Sequence, residues 1–390
     1  MNNLFLILAT IISMKAAAAP TPPEAKGIMQ GIFSKISALI PLSFNEEQFS
    51  TSQSDQVKKD LKQLENLSSQ LESMAAKHGD NFHEIAQNLK DDILDVSHLY
   101  KQGQYKRSIF VLQNLTENCF ACHTKYPERI PAEHSQHFLS KKHFEQLSPE
   151  GKARTHVITR RFKQAQSEYE GILTNPKTNF LYLEPIIEDY LAVSLNNLQD
   201  ITSPMIVLQK LQKNKSTPLS TRKTIEDWVR GLRWIRSTGA LSKPTLDTMK
   251  ELIHKAQVAT DHSYDRRGLI YWMALHSVLN QLTLSQHEKH IEAEIYYWLG
   301  VTATKFEHSF WVVQMPTYLE RSIQLTSDRD LAIRAFQLLE RNVVLGYTGS
   351  AGTNLPEKEK LRLDKLRTQA FEKPITPGKH TPTFKHTPTL

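Results

Sequence analysis

Residues 105–123 read YKRSIFVLQNLTENCFACH, and this stretch decides the fold. Apolar side chains recur in it every three or four residues, a spacing that predicts an amphipathic helix. The apolar positions are Tyr105, Ile109, Leu112 and Leu115. Cys119 and Cys122 continue the same register, so we expect the cysteines to lie on the buried face of this helix.

The stretch ends in a Cys-x-x-Cys-His pentad, which contains the only two cysteines of the chain. On a helix, Cys119 lies within one turn of Cys122 and His123, so the three side chains leave one face together. This pentad is typical of covalent c-type haem attachment, in which both thiols add to porphyrin vinyl groups and the imidazole binds the iron. We therefore predict one covalent haem c, held by Cys119 and Cys122, with His123 as the proximal ligand.

Two other chemistries use closely spaced cysteines. A redox-active pair normally begins a helix in a strand-helix-strand context, and a structural zinc site needs a second ligand pair at similar spacing. The sequence offers neither a strand pattern nor a second Cys-x-x-Cys. These alternatives are therefore weaker than haem attachment.

The first residues have the pattern of an export signal. Residues 4–12 are a short apolar run, and residues 16–19 are four alanines. We expect a signal peptide at residues 1–18, with an uncleaved anchor as the alternative, although nine apolar residues are too few to span a bilayer. Since c-type cytochromes mature outside the bacterial cytoplasmic membrane, we predict a protein of the periplasm, in a Gram-negative bacterium.

Composition limits the classes of partner. The formal net charge is +7 and becomes +6 once Lys15 leaves with the signal peptide. We expect this small excess to be spread along the chain, without the clustered lysines and arginines of a nucleic-acid-binding protein. A basic face that docks an acidic redox partner is the alternative that we keep. No later apolar stretch has membrane length, so we predict no transmembrane segment after signal removal.

Four segments with helical periodicity lie between residues 19 and 130, and each is bounded by proline, glycine or capping residues. Their apolar stripes are Ile28, Met29, Ile32, Phe33, Ile36, Leu39 and Ile40; Val57, Leu61, Leu64, Leu67, Leu71 and Met74; Phe82, Ile85, Leu89, Ile93, Val96 and Leu99; and the stripe of residues 105–115. Amphipathic helices joined by short turns predict an up-and-down four-helix haem bundle.

This arrangement, with the pentad in the last turns of the fourth helix, resembles the class II c-type cytochromes, the family of cytochrome c prime and its low-spin relatives. In low-spin members a methionine of the first helix is the sixth iron ligand, and the resemblance implies Met29 for that role. High-spin members have an apolar residue there and a five-coordinate iron.

Other assignments for the sixth ligand stay open. Met29 lies on an apolar stripe, where a methionine is ordinarily core filler. His98 near the end of the third helix is one alternative ligand. The cluster His134, His137 and His143 just after the bundle supplies the others.

The rest of the chain is also predicted to be helical, so the fold class is all-α. Residues 131–152 are expected to be a linker, residues 153–370 a helical repeat domain, and residues 371–390 a disordered tail. The repeat domain resembles divergent tetratricopeptide-type repeats, with a generic helical domain as the alternative. The matching positions are Ala165, Tyr169 and Pro176 in one repeat and Tyr296, Leu299, Gly300, Leu319, Ser322 and Ile323 in another.

These patterns predict a periplasmic monohaem c-type cytochrome that transfers electrons. Its helical repeats are expected to dock a periplasmic redox protein or respiratory complex, because stacked helix pairs leave a surface that suits protein binding. The sequence has no acid/base pair or nucleophile constellation, so we expect no enzyme activity. The alternatives are a haem-based gas sensor, and an assembly factor of a respiratory complex with a structural haem.

Overall fold

The computed structural model describes residues 23–43, 46–77, 80–112, 115, 144–145, 147–175, 183–262, 265–306, 310–349 and 352–373. Regular structure in these ranges is helical apart from one short hairpin, so the predicted all-α class is confirmed. The hydrophobic side chains form two separate cores.

The helices around the first core are α1 (Pro23–Ser43), α2 (Ser54–Ala75), α3 (Asp80–Lys101) and α4 (residues 105–112); we call them the first helical group. A π-helical turn, Gln48–Ser52, precedes α2. Pro41 does not end α1, which continues to Ser43. The Ser43 hydroxyl donates a hydrogen bond to the Ile40 carbonyl at 2.7 Å.

The core of the first helical group is built mostly from the predicted stripes, and Phe49, Ala75, Ala86 and Tyr100 add to it outside them. Its buried members are Ile32, Ile36, Leu39, Phe49, Val57, Leu61, Leu64, Leu71, Met74, Ala75, Ala86, Leu89, Ile93, Val96, Tyr100, Leu112 and Leu115. The turn between α3 and α4 needs Gly103, whose φ of +72° lies in the left-handed region that side chains disfavour. Its N–H bonds to the Tyr100 carbonyl at 3.0 Å and ends α3.

The second helical group contains α5 (Pro149–Ile158), α6 (Phe162–Thr174), α7 (Leu183–Ala192), α8 (Thr202–Lys213), α9 (Leu219–Thr238), α10 (Leu246–Val258), α11 (Leu269–Leu282), α12 (Lys289–Ala303), α13 (Phe310–Leu325), α14 (Arg329–Gly346) and α15 (Glu357–Phe371). A π-helical turn, Val193–Asn197, follows α7. Between α14 and α15, β1 (Thr348–Gly349) and β2 (Gly352–Thr353) form an antiparallel hairpin, which the sequence pattern did not indicate.

Most helices of the second group pack against the next helix along the chain, and several also reach the next but one. This serial packing gives one continuous core from Ala153 to Ala370. The group begins at Pro149, inside the predicted linker, because Ser148 caps α5 by accepting a hydrogen bond from the Gly151 N–H and proline suits the first helical position. The predicted tail from residue 374 onward lies outside the described residues.

Candidate functional site

The haem pentad itself, Cys119, Cys122 and His123, lies outside the described residues. The alternative ligands His134, His137 and His143 do so as well. The geometry that bears on the site therefore comes from the first helical group, which contains Met29 and leads to the pentad.

Helices α1 and α2 pack antiparallel. Gly31 lies so close to Leu67 that a Cβ on the glycine would be 3.0 Å from a leucine methyl carbon. One turn further along α1, Lys35 makes a 2.9 Å ion pair with the buried carboxylate of Asp60. Residue numbers thus rise on α1 as they fall on α2, and Met29 lies level with the last two turns of α2.

Helix α3 runs antiparallel to α2. Near the end of α2, a carboxylate oxygen of Glu72 lies 3.7 Å from Nδ1 of His83, near the start of α3. Two turns earlier, Glu65 accepts hydrogen bonds from Ser97 and, at 2.9 Å, from Lys101. Burial raises the pKa of Glu65, but these two hydrogen bonds, together with the positive charges of Lys101 and Lys62, outweigh burial and hold the pKa below its usual value.

Helix α4 turns back along α3. The Ser108 hydroxyl donates a 2.8 Å hydrogen bond to the Val96 carbonyl, and the rings of Tyr100 and Tyr105 lie 5.2 Å apart. Leu115, further along the chain, is fully buried in the same core. From residue 105 to 115 the chain therefore runs toward the end of the first helical group at which α1 begins.

Met29 lies at that end, which we call the Met29 end. Its side chain is partly buried and packs against the first core, as both the ligand and the core-filler assignments require. Cys119 follows Leu115 by four residues in the sequence. The described helices thus bring Met29 to the end toward which the chain to the pentad runs.

Two further side chains with donor atoms lie at the Met29 end. Met74, in the last turn of α2, is 7% exposed and belongs to the core. His83 has a buried Nδ1 atom that makes no hydrogen bond to any described residue. Sequence reasoning placed Met74 only in an apolar stripe and did not single out His83. The predicted topology could have revealed them, because in an up-and-down bundle the end of α2 and the start of α3 lie at the same end as the start of α1.

His98 lies at the other end of α3. Its side chain is exposed, and Gln102 donates a 2.7 Å hydrogen bond to its Nε2 atom. Fifteen residues of helix, or about 22 Å, separate it from His83. The structure therefore does not bring His98 to the Met29 end.

The Met29 end fits a haem through its chemistry. A thioether is a soft donor that suits haem iron, and the apolar core beside it suits a porphyrin face.

Among the described residues, no cluster of three or more His, Cys, Asp or Glu side chains is placed to hold a metal ion. Within the same ranges, no helix combines the length and the apolar composition needed to cross a bilayer.

The expectation of an evenly spread charge is wrong. Residues 201–240 contain eight basic and two acidic side chains, a net charge of +6, whereas the whole chain has +7. This basic segment forms α8, α9 and the turn between them. The described structure thus concentrates most of the formal charge excess on one helical hairpin.

Comparison of the chain with protein-family models, with curated proteins and with solved structures gives no significant match.

Proposed function

We propose that the protein is an exported, monohaem c-type cytochrome that transfers electrons, and that its second helical group docks the redox partner. One observation carries this proposal: the described chain from residue 105 to 115, which precedes Cys119 in the sequence, runs toward the helix end that bears Met29. The chain therefore approaches the pentad from the end of the core that offers a distal donor.

Each residue has a distinct role in this proposal. Cys119 and Cys122 would hold the cofactor by thioether bonds, and His123 would bind the iron. Met29 would be the second protein ligand of the iron, which would exclude external ligands and favour a higher potential. When bound, the haem supplies a one-electron iron centre.

The protein around the site would keep it dry and rigid. The core against which Met29 packs contains Leu71 and Leu89, which are almost fully buried and keep water out of it. Little rearrangement is then needed between the two oxidation states. We propose no acid/base step, in keeping with electron transfer rather than enzyme catalysis.

The second helical group supports the docking role. Its serial packing is the arrangement expected of a helical repeat protein. Ala165 and Tyr169, which match repeat positions, are fully buried, and Gly300 of α12 packs tightly against Leu319 of α13. These contacts support the proposal of tetratricopeptide-type repeats.

Carbon monoxide distinguishes electron transfer from gas sensing. We expect the spectrum of the reduced wild-type protein to stay unchanged on mixing with carbon monoxide, because Met29 occupies the sixth position. The Met29→Leu variant, which keeps the volume and removes the donor, should bind the gas at once. Immediate binding by the wild type would reject the electron carrier and favour the gas sensor.

A further inference from the structure

The basic segment presents its charges on one side of α8. The buried residues of this helix are Pro204, Met205, Val207, Leu208 and Leu211. Ile206, Lys210 and Lys213 fall between them at a spacing of three and four residues, and all three are exposed. Lys215, in the turn that follows, is exposed as well. The outer face of α8 is therefore basic with one apolar side chain.

Helix α9 continues this face. Its buried positions are Ile225, Trp228, Val229, Gly231, Leu232 and Ile235, which pack into the second core. Lys223, Arg230 and Arg233 recur at helical spacing on the exposed side, and Arg236 lies one turn beyond Arg233. Helices α8 and α9 pack against each other as one hairpin. We call the exposed cations of these two helices and of the turn between them the basic surface.

Most charges of the basic surface are not neutralised within the protein. The only acidic side chains of the segment, Glu226 and Asp227, both lie beside Arg230, at 3.9 and 3.0 Å. The other exposed cations make no ion pair with any described residue; they are Lys210, Lys213, Lys215, Lys223, Arg233 and Arg236. Mutual repulsion among them is unfavourable in the free protein, and an anionic partner would relieve it.

Aromatic and apolar side chains border the cations. The partly exposed ring of Trp234 lies 5.7 Å from the ring of Tyr271, and Nζ of Lys255 lies 5.4 Å from the Trp234 ring. Ile206 and Leu219 are 48% and 62% exposed. Arginine and aromatic side chains are enriched in protein interfaces, where they carry much of the binding energy.

We infer that the basic surface docks an acidic segment of a partner protein. This inference extends the proposed docking role and rests on the proposed function for the identification of that partner as a redox protein. Glu226 and Asp227 lie within the surface and offset part of its positive charge, so a uniform polyanion would bind less tightly than a segment of mixed charge. A protein segment can place its carboxylates opposite the cations and a cation opposite this acidic pair. The mixture of charge and apolar area therefore favours protein over nucleic acid or an anionic membrane.

Titration calorimetry on the full-length protein with poly-L-glutamate as the probe tests the inference. The wild type should bind, and the affinity should fall steeply with added salt because the surface is exposed. The Arg233→Glu/Arg236→Glu variant should bind at least about tenfold more weakly, since like charges then oppose the probe. Arg341→Glu/Lys365→Glu is the matched control: both side chains are exposed, and the net charge change is the same.

Equal weakening in both variants would overturn the assignment to α8 and α9, and so would absence of binding by the wild type. Tighter binding to phosphatidylglycerol vesicles or duplex DNA than to poly-L-glutamate would reject a protein partner. Circular dichroism of each variant separates lost binding from lost folding. Because no haem is needed for the titration, its failure would leave the electron-transfer proposal untouched.

Discussion

Gly300 of α12 faces Leu319 of α13 at a distance that leaves no room for a side chain. A Cβ built on Gly300 would lie closer to the Leu319 side chain than the 3.0 Å that real Cβ atoms observe. Both residues match positions of the tetratricopeptide pattern. The close approach gives a physical reason for glycine there, because the two helices could not pack this tightly around a larger residue.

Gly300→Ala should therefore destabilise the protein. The added methyl group forces the buried Leu319 side chain to shift, and overpacking of this kind costs about 1–3 kcal/mol. Gly171→Ala on α6 is the matched control, since a Cβ there would meet nothing within 4 Å. It should be neutral or stabilising by up to about 1 kcal/mol. Urea unfolding of both variants measures the difference, and equal stability would contradict the tight contact.

His156 should make the stability of the second helical group depend on pH. The side chain is 8% exposed, its Nδ1 atom has no hydrogen-bond partner among the described residues, and its ring packs 4.9 Å from Phe144. Burial, helped by the charge of Arg161, lowers its pKa to about 4 from an ordinary value of 6.5. The folded protein thus holds His156 neutral.

As the pH falls from about 6.5 to 4, only the unfolded chain takes up this proton, so the free energy of unfolding should fall with it. The loss attributable to His156 should be about 1–3 kcal/mol and complete near pH 4. His156→Gln removes the titrating group. Urea unfolding between pH 7 and pH 4 should therefore show a smaller loss in the free energy of unfolding for the variant than for the wild type. An equal loss in both proteins would refute the role of His156.

Met29→Leu should convert the oxidised spectrum from low-spin to high-spin, because the iron loses its sixth ligand while the core keeps its volume. Met74→Leu and His83→Gln should leave the spin state unchanged. Those two variants are the sharpest controls, since both side chains lie at the Met29 end. A high-spin change in either of them, with none in Met29→Leu, would transfer the ligand role.

The helices of the first group could be predicted from the sequence because periodic apolar residues and turn residues are local signals. The apolar stripe from Ile28 to Ile40, for example, lies within α1, and Gly103 marks the turn before α4. Local signals alone do not identify the donors at the Met29 end. Met74 and His83 come to that end only through antiparallel pairing, which depends on contacts between residues far apart in sequence.

Helical periodicity does not indicate two other features of the structure, the charge on α8 and α9 and the short hairpin. The charge on α8 and α9 could have been found by counting charges in windows rather than over the whole chain. The hairpin of β1 and β2 could not, because each strand has two residues and no alternating pattern. The contact of Gly300 with Leu319 could be predicted only in part. The repeat pattern indicates the two positions, but the distance between them depends on how the helices pack.

Covalent haem attachment is the central claim, and a pyridine haemochrome spectrum tests it most directly. Protein secreted from a host competent for cytochrome maturation should show one haem c per chain, and this haem should stay attached when the protein is denatured. The Cys119→Ala/Cys122→Ala variant should lose it. Colourless wild-type protein, with both cysteine thiols open to alkylating reagents, would contradict the account.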